Sequence, residues 1–386
     1  MNEIYADHAA TSYPRPPQVV QAMIEYLRDI GCNPGRGGYR RSINAARMVY
    51  ETRALLADFF HVPQPEQIIF TPSVTYSLNL VLKGLLAAGD HVLISSMEHN
   101  AVVRPLARLA AERGIEVERI PCNADGTMNP LQVRQALKRN TRLVVLTHAS
   151  NVTGTILPVY EVGEILAKTD TLYCVDVAQT AGTEKVDFQD LQCDYLAFTG
   201  HKGLLGPPGI GGLCLSERAL YVTQSLVEGG TGSRSEDENQ PQFLPDKFES
   251  GTQNTPGIAG LAAGVKVITQ TGLAAVKEQK RNLTAAFLAG LSGLPAIRVY
   301  GTKDPDLTTA TISINMDGID NGDLSFMLEQ GYGIMTRSGL HCAPLAHQTI
   351  GTFPFGTLRF SFGWENTAAE VEMIIQALRE IIKEHK

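Results

Sequence analysis

Two loop segments in this sequence place an acid and an amine just beyond apolar runs. In CVDVAQTAG, Cys174 to Gly182, the acid is Asp176; in AFTGHKG, Ala197 to Gly203, the amine is Lys202. An amine so placed can condense with an aldehyde to form a Schiff base. A carboxylate opposite a pyridine nitrogen keeps that ring protonated and able to accept electrons. Those are the two demands of pyridoxal 5'-phosphate (PLP) chemistry. Alone, a charge at a strand end reads most simply as a solvated loop residue. Gln179, Thr199 and His201 crowd the same two loops, and together they make a site the better reading.

A phosphate needs an anion site, and TPSVT offers one between the apolar run QIIF and the helical run YSLNLVLKGLLAAG. Backbone N–H groups at Ser73, Val74 and Thr75, the helix dipole and the Thr75 hydroxyl suit an anion. The same geometry also serves a plain helix cap. Thr199 and His201 would meet the phosphate from the other side. His99, in SSMEHNAVV, follows the run HVLIS at an expected carboxyl end of a sheet, where ligands bind in open α/β folds. Its imidazole could stack on a pyridine ring and shuttle protons. Asn151, in HASNVTG, could donate to a ring hydroxyl or to a substrate carboxylate. Arg359 interrupts the apolar TLRFSFG and therefore needs an anion, either an internal carboxylate or that of a substrate. Cys342, in TRSGLHCAPLAH, has the glycine and proline of a loop around it. Cys174, Cys193 and Cys214 lie in apolar runs and read as inert core thiols.

The elements that must carry these groups follow from periodicity. QIIF (67–70), HVLIS (91–95), VERIP, RLVVLTH (142–148), TLYCVD (171–176) and YLAF (195–198) alternate with helix-like stretches. Near-continuous apolar strands in βαβα order predict a mainly parallel α/β sheet with helices on both faces. GIGGLCLS (209–216) follows too closely for a crossover helix and reads as antiparallel. After residue 255 come helical stretches over 256–293, strand-like TATISINM (309–316), GIMTRS (333–338) and TLRFSFG (357–363), and a helix near 322–330. The last helix opens on a Thr367–Glu370 capping box and carries the stripe Val371, Ile374, Ile375, Leu378, Ile381, Ile382. The expected organisation is a large PLP-binding domain over 21–255 and a smaller α+β domain over 256–386 bearing the Cys342 loop. Residues 1–20 are expected to join the smaller domain, and 229–247 to form an exposed excursion.

Composition narrows the function. A chain of 386 residues with 44% hydrophobic and 19% charged residues is ordinary for a globular protein. A net charge of −7 gives no electrostatic support for nucleic-acid binding. No apolar run approaches membrane-spanning length, and MNEIYADHAAT lacks a basic start and apolar run, so a cytoplasmic protein is expected. The six cysteines show no framework spacing, which suits a reducing compartment. No metal is expected: His341, Cys342 and His347 stand close in sequence, but no fourth ligand is evident. The glycines of GPPGIGG lead into a strand and lack a following ribose-binding acid, which rejects a nicotinamide site.

Taken in order from YADHAATS at residue 5, the segments EHN, SNVTG, VDVAQ, TGHK, FESGTQNTP, RSGLHCA and LRFSFG resemble the aminotransferase class V branch of fold-type I PLP-dependent transferases. More closely, the chain resembles cysteine desulfurases with an RxGxHCA-type loop. The resemblance implies that Lys202 carries PLP, Asp176 pairs with its pyridine nitrogen, Gln179 bonds the ring hydroxyl and His99 stacks on the ring. Val74, Thr75, Thr199 and His201 would hold the phosphate, with Thr252 reaching the phosphate of the neighbouring subunit in a homodimer. Asn151, Arg359 and Arg36 would hold the substrate carboxylate. Cys342 would take the sulfur of L-cysteine as a persulfide, release L-alanine and hand the sulfur to an acceptor protein, with Arg337 and His341 as local cations for its thiol. The pathway served (iron–sulfur cluster assembly, thiolated tRNA or thio-cofactors) stays open, as does L-selenocysteine as a substrate. So do another class V reaction, such as transamination or epimerisation, and a PLP-binding sulfur relay of low activity. Three features depart from relatives: a loop after Lys202 longer by about one residue, Gly35 where a histidine is common, and a shorter excursion at 229–247.

Overall fold

Apolar runs bounded by turn residues become strands in the computed structural model, which describes residues 3–35 and 37–385. In chain order they are β1 (Ile4–Tyr5), β2 (Ile68–Thr71), β3 (His91–Ser95), β4 (Glu116–Ile120), β5 (Thr141–Thr147), β6 (Leu172–Asp176) and β7 (Tyr195–Thr199). They continue as β8 (Gly211–Leu215), β9 (Ile297–Tyr300), β10 (Thr311–Met316), β11 (Ile334–Met335), β12 (Arg337–Gly339) and β13 (Thr357–Ser361). Seven form one sheet in the order β2-β8-β7-β6-β5-β3-β4. The β4–β3, β3–β5, β5–β6 and β6–β7 pairs are parallel, and β8 runs antiparallel to both β7 and β2. The mainly parallel α/β sheet and the reversed GIGGLCLS strand are therefore both present. Every residue of β6, β7 and β8 is buried, because helices cover both faces of the sheet.

The second sheet is antiparallel, in the order β12-β13-β10-β9. The GIMTRS run differs from its sequence reading: it breaks at Thr336 into two strands with different partners. Ile334 and Met335 pair in parallel with Ile4 and Tyr5, whereas Arg337 to Gly339 pair with β13. The Thr336 hydroxyl instead shares a hydrogen bond with that of Ser325, at 3.0 Å on the helix Asn321–Tyr332. The helical stretches after 255 are two helices, Thr255–Thr271 and Leu273–Ser292, separated at Gly272, whose φ of +86° favours glycine. The final helix, Ala368–Glu384, has its capping box: the Glu370 N–H donates to Thr367 Oγ1 (3.2 Å) and the Thr367 N–H to Glu370 Oε2 (2.6 Å). Its stripe from Val371 to Ile381 is buried against the helix Leu273–Ser292 and the second sheet.

One buried ion pair fixes the FESGTQN segment. Arg53, on the helix Arg40–Phe60, donates to Glu249 and to the Ile68 carbonyl, and Glu249 Oε1 accepts the Phe70 N–H at 2.6 Å. Both ionic side chains are almost fully enclosed, at 6% and 4% exposure. Removing one partner strands the other charge in the interior. Arg53→Met is expected to cost about 3–5 kcal/mol of unfolding free energy. The double variant with Glu249→Gln should recover part of that loss, as measured by urea denaturation midpoints.

Candidate active site at the carboxyl ends of the sheet

Asp176 ends β6 and is 4% exposed. Its Oδ1 accepts the Ala178 N–H at 2.9 Å. Burial raises its carboxyl pKa, with the Ala178 bond and the nearby Lys202 pulling it back down. Lys202 lies in the turn after β7. Burial lowers its pKa to about 8, opposed by Asp176 and reinforced by Arg359 and Arg337. The two loops touch because both carry glycine where they meet. A Cβ on Gly182 would lie 2.3 Å from the Gly203 carbonyl oxygen, and one on Gly203 would lie 2.4 Å from that of Ala181. The N-terminal segment straps this turn down: the Ser12 N–H and the Thr11 hydroxyl donate to the His201 carbonyl (2.9 and 3.1 Å), and the Ser12 hydroxyl to that of Lys202 (2.7 Å). Gln179 donates its amide N–H to Ala9 O (3.1 Å), which leaves its own carbonyl to accept.

Beside the lysine turn is an anion cradle. Ser73 caps the helix Val74–Leu85, accepting the Tyr76 N–H at 3.3 Å, and Thr75 is exposed in its first turn. Gly211 pairs with Thr71 on one side and Thr199 on the other. A Cβ there would lie 2.7 Å from the Phe198 carbonyl oxygen and 3.2 Å from Ser73 Cα, so only glycine lets these strand ends close up. The Thr199 hydroxyl, buried in this cradle, has no protein partner. His201 is differently engaged: its Nδ1 lies 3.1 Å from Thr11 Oγ1, which also accepts from Arg15 at 3.0 Å. Burial, Lys202 and Arg15 lower the His201 pKa to about 4, so the ring is neutral near pH 7.

His99 caps the helix Asn100–Arg113. Its Nδ1 accepts the Ala101 N–H at 3.0 Å, which leaves the ring proton on Nε2. Burial first, then Lys202, Arg337, Arg104 and Arg359, lower its pKa to about 4. The next residue ties in the thiol loop: the Asn100 N–H donates to the Cys342 carbonyl at 2.8 Å. Asn151 donates to the His341 carbonyl (2.7 Å) and accepts from Arg359 Nη1 on its own carbonyl (2.9 Å). Arg359, 1% exposed, also pairs with Asp7 at 2.6 Å, while its Nε has no partner. Cys342 is exposed, and it and His341 both take left-handed φ values, +57° and +48°. Two such residues in a row are costly for side chains with a Cβ and mark a conformation imposed by its surroundings.

Three groups were not assigned these positions from the sequence. Arg337 lies directly opposite Arg359 across β12 and β13, so two cations share one face of that strand pair. Asp7, in YADHAAT, is the internal anion of Arg359. Glu98 is fully buried beside His99; its Oε1 accepts from the Ser95 hydroxyl (2.5 Å) and the Thr147 N–H (2.9 Å), and its Oε2 has no partner. Burial raises its pKa to about 8, so it is mainly neutral at pH 7. The available signal was an acid directly after the apolar run HVLIS.

His341 does not act as a cation toward Cys342. It is buried, with Nε2 on the Arg337 carbonyl (3.0 Å) and Nδ1 facing His347 Nε2 (3.4 Å), and His347 Nδ1 is bonded to Thr352 (2.7 Å). Burial, then Arg359, lowers the His341 pKa to about 3. The two rings thus face one another. Among the described residues the His/Glu cluster of ligand spacing is His91, Glu116 and Glu118, at the opposite ends of the strands, where Lys138 bridges both carboxylates at 2.6 Å. Thr252 is exposed and lines a separate cavity with Asn33 and Gly35. Arg36 lies outside the described residues.

The family model for aminotransferase class-V matches residues 4–374. The chain belongs to the aminotransferase class-V family. It is 35% identical over 384 residues to a probable cysteine desulfurase of Methanothermobacter thermautotrophicus, covering 98% of this chain and 95% of that one. A probable cysteine desulfurase of Pyrococcus abyssi is 34% identical, with coverages of 98% and 94%. The apo structure of a cysteine desulfurase from Thermococcus onnurineus superposes with a TM-score of 0.94 at 34% identity, over 99% of this chain and 95% of the other.

Class V enzymes use PLP, and the side chains here fit it. The orphan Thr199 hydroxyl and the helix start at Val74 and Thr75 suit its phosphate, Asp176 its ring nitrogen and Lys202 its aldehyde. Thr199→Val removes no bond within the protein, so the melting temperature without cofactor should stay within about 2 °C. Its PLP affinity should fall about tenfold, the worth of one hydrogen bond to a charged group. Absorbance titration of the cofactor-free protein checks this, and unchanged affinity would remove Thr199 from the phosphate site.

Proposed function

We propose that this class V enzyme is a cysteine desulfurase that converts L-cysteine to L-alanine and carries the sulfur as a persulfide on Cys342. The observation that carries this reading is the exposed Cys342 thiol, held next to His99 by the Asn100–Cys342 backbone bond. Other class V reactions need the lysine and aspartate but no mobile thiol.

The roles follow from the geometry. PLP, when bound, supplies the electron sink that lets a proton leave the substrate α-carbon and the carbon–sulfur bond break. The Arg359 donors left free by Asp7 and Asn151, together with Arg337 opposite, bind the cysteine carboxylate and orient the substrate. Lys202, with a pKa of about 8, has an appreciable free-amine fraction near neutrality and can take and return the α-proton. His99, neutral with its proton on Nε2, presents a donor without adding a second positive charge. The Cys342 sulfur then bonds the substrate sulfur as the carbon–sulfur bond breaks; the carbon side gains a proton and leaves as alanine. A thiol reductant or an acceptor protein removes the outer sulfur. We further propose a homodimer, with Thr252 reaching the phosphate of the partner's site, working in the cytoplasm. Thr252 lines a different cavity from Lys202, as a residue acting across an interface would.

With L-cysteine and dithiothreitol, wild-type protein should yield alanine and sulfide in equal amounts. Cys342→Ala should lower both at least 100-fold while retaining bound PLP, and Lys202→Ala should lose the covalent cofactor absorbance. Full turnover by Cys342→Ala would remove the thiol from the mechanism and favour another class V reaction.

A further inference from the structure

A second cavity adjoins the catalytic lysine. It shares Lys202 and Gln179 with the site above, but it is not lined by Asp176, His99, Asn151, Arg359 or Cys342. It lies between the helix Leu273–Ser292 and the FGWEN turn after β13, and its volume is about 30 Å³. One water needs roughly 10–15 Å³, so the space suits an occupant of two or three heavy atoms.

Three donors around it are unpaired. Lys280 has no hydrogen bond or ion pair among the described residues; the nearby Glu184 is taken by Lys277 at 2.8 Å. The Thr309 hydroxyl, on a residue 4% exposed, and the Trp364 indole N–H are both buried without partners. Buried donors are normally satisfied, and each left open costs about 1–3 kcal/mol. His8 also lines the space, but it is neutral: burial and Lys280 lower its pKa to about 3. Glu365, on the outer lip, is exposed, and partial burial raises its carboxyl pKa. Lys280, half-buried, is itself lowered to about 8 by burial, as an ammonium without a fixed counter-ion should be.

We propose that this cavity is a binding site for a small monovalent anion, of chloride or formate size, held by Lys280, Thr309 and Trp364. Lys202 lines the same space, so the site lies directly against the lysine turn. The site stands on these residues alone and does not depend on the desulfurase reading.

Trp364 is the only tryptophan in the chain, so its emission reports directly on the cavity. The PLP-loaded protein is titrated with sodium chloride or sodium formate, with ionic strength held constant by sodium gluconate, which is too large to enter. Wild type should give a saturable emission change and a rise in melting temperature. In Lys280→Met the affinity should fall at least tenfold, and in Thr309→Val about threefold, with Lys280→Arg retaining most of it. A response to both anions means that charge selects the occupant; a response to formate alone identifies a carboxylate pocket. Linear, unsaturated quenching with no rise in melting temperature would overturn the site. So would an unchanged titration in a folded Lys280→Met or, should that variant not fold, in Thr309→Val.

Discussion

Arg359 carries a guanidinium into a position where 1% of its surface meets solvent, and the site is arranged around that charge. A buried cation is tolerable only with an anion and further acceptors, and Asp7 and the Asn151 carbonyl meet that need. In doing so they tie three distant stretches of chain to one side chain: the N-terminal segment, the loop after β5 and strand β13. Asn151 passes the constraint on to the thiol loop through its bond to the His341 carbonyl. The field of Arg359 and Arg337 then acts on the groups around it. It adds to the burial that keeps His99 and His341 uncharged, and it helps lower Lys202 toward the range where an amine can exchange protons at neutral pH.

That arrangement makes the site economical in charge. Three imidazoles in or beside it, His99, His201 and His341, are neutral near pH 7, and Glu98 beneath them is mainly protonated. The charges that remain are Lys202 and two arginines against Asp176 and Asp7. An anionic phosphate or carboxylate would meet a pocket whose excess charge is already positive. Binding therefore need not wait for any histidine to protonate.

Much of this was legible in the sequence. Asp176, Lys202, His99 and Thr199 each stand at or beyond the end of an apolar run, and a parallel sheet gathers such ends on one side; Arg359 instead showed itself as a charge inside an apolar strand. The reversal of β8 was readable from the short connection before it, and the last helix from its capping box and stripe. Long-range pairings were not readable. GIMTRS looked like one strand because its two partners, β1 and β13, come from opposite ends of the chain. His341 looked like a cation beside a thiol because its ring partners, the Arg337 carbonyl and His347, depend on how the loop turns. Arg337 lacked an assigned partner because facing residues on antiparallel strands are defined only once register is set. Glu98 was not singled out because burial cannot be seen at a single position.

The pairing of Ile4 with Ile334, and of Asp7 with Arg359, also has a bearing on synthesis. Residues made first must wait for residues made nearly last before their partners exist. The strands of the seven-strand sheet are complete by Leu215 and the helix Thr255–Thr271 that covers one face follows them, so this body can form while the later chain is still on the ribosome. The cationic wall of the site cannot. A nascent or truncated chain that stops before β13 would hold Lys202 and Asp176 but lack Arg359 and the tie it makes between Asp7 and Asn151. The buried cation that organises the pocket is thus among the last of its parts to be made.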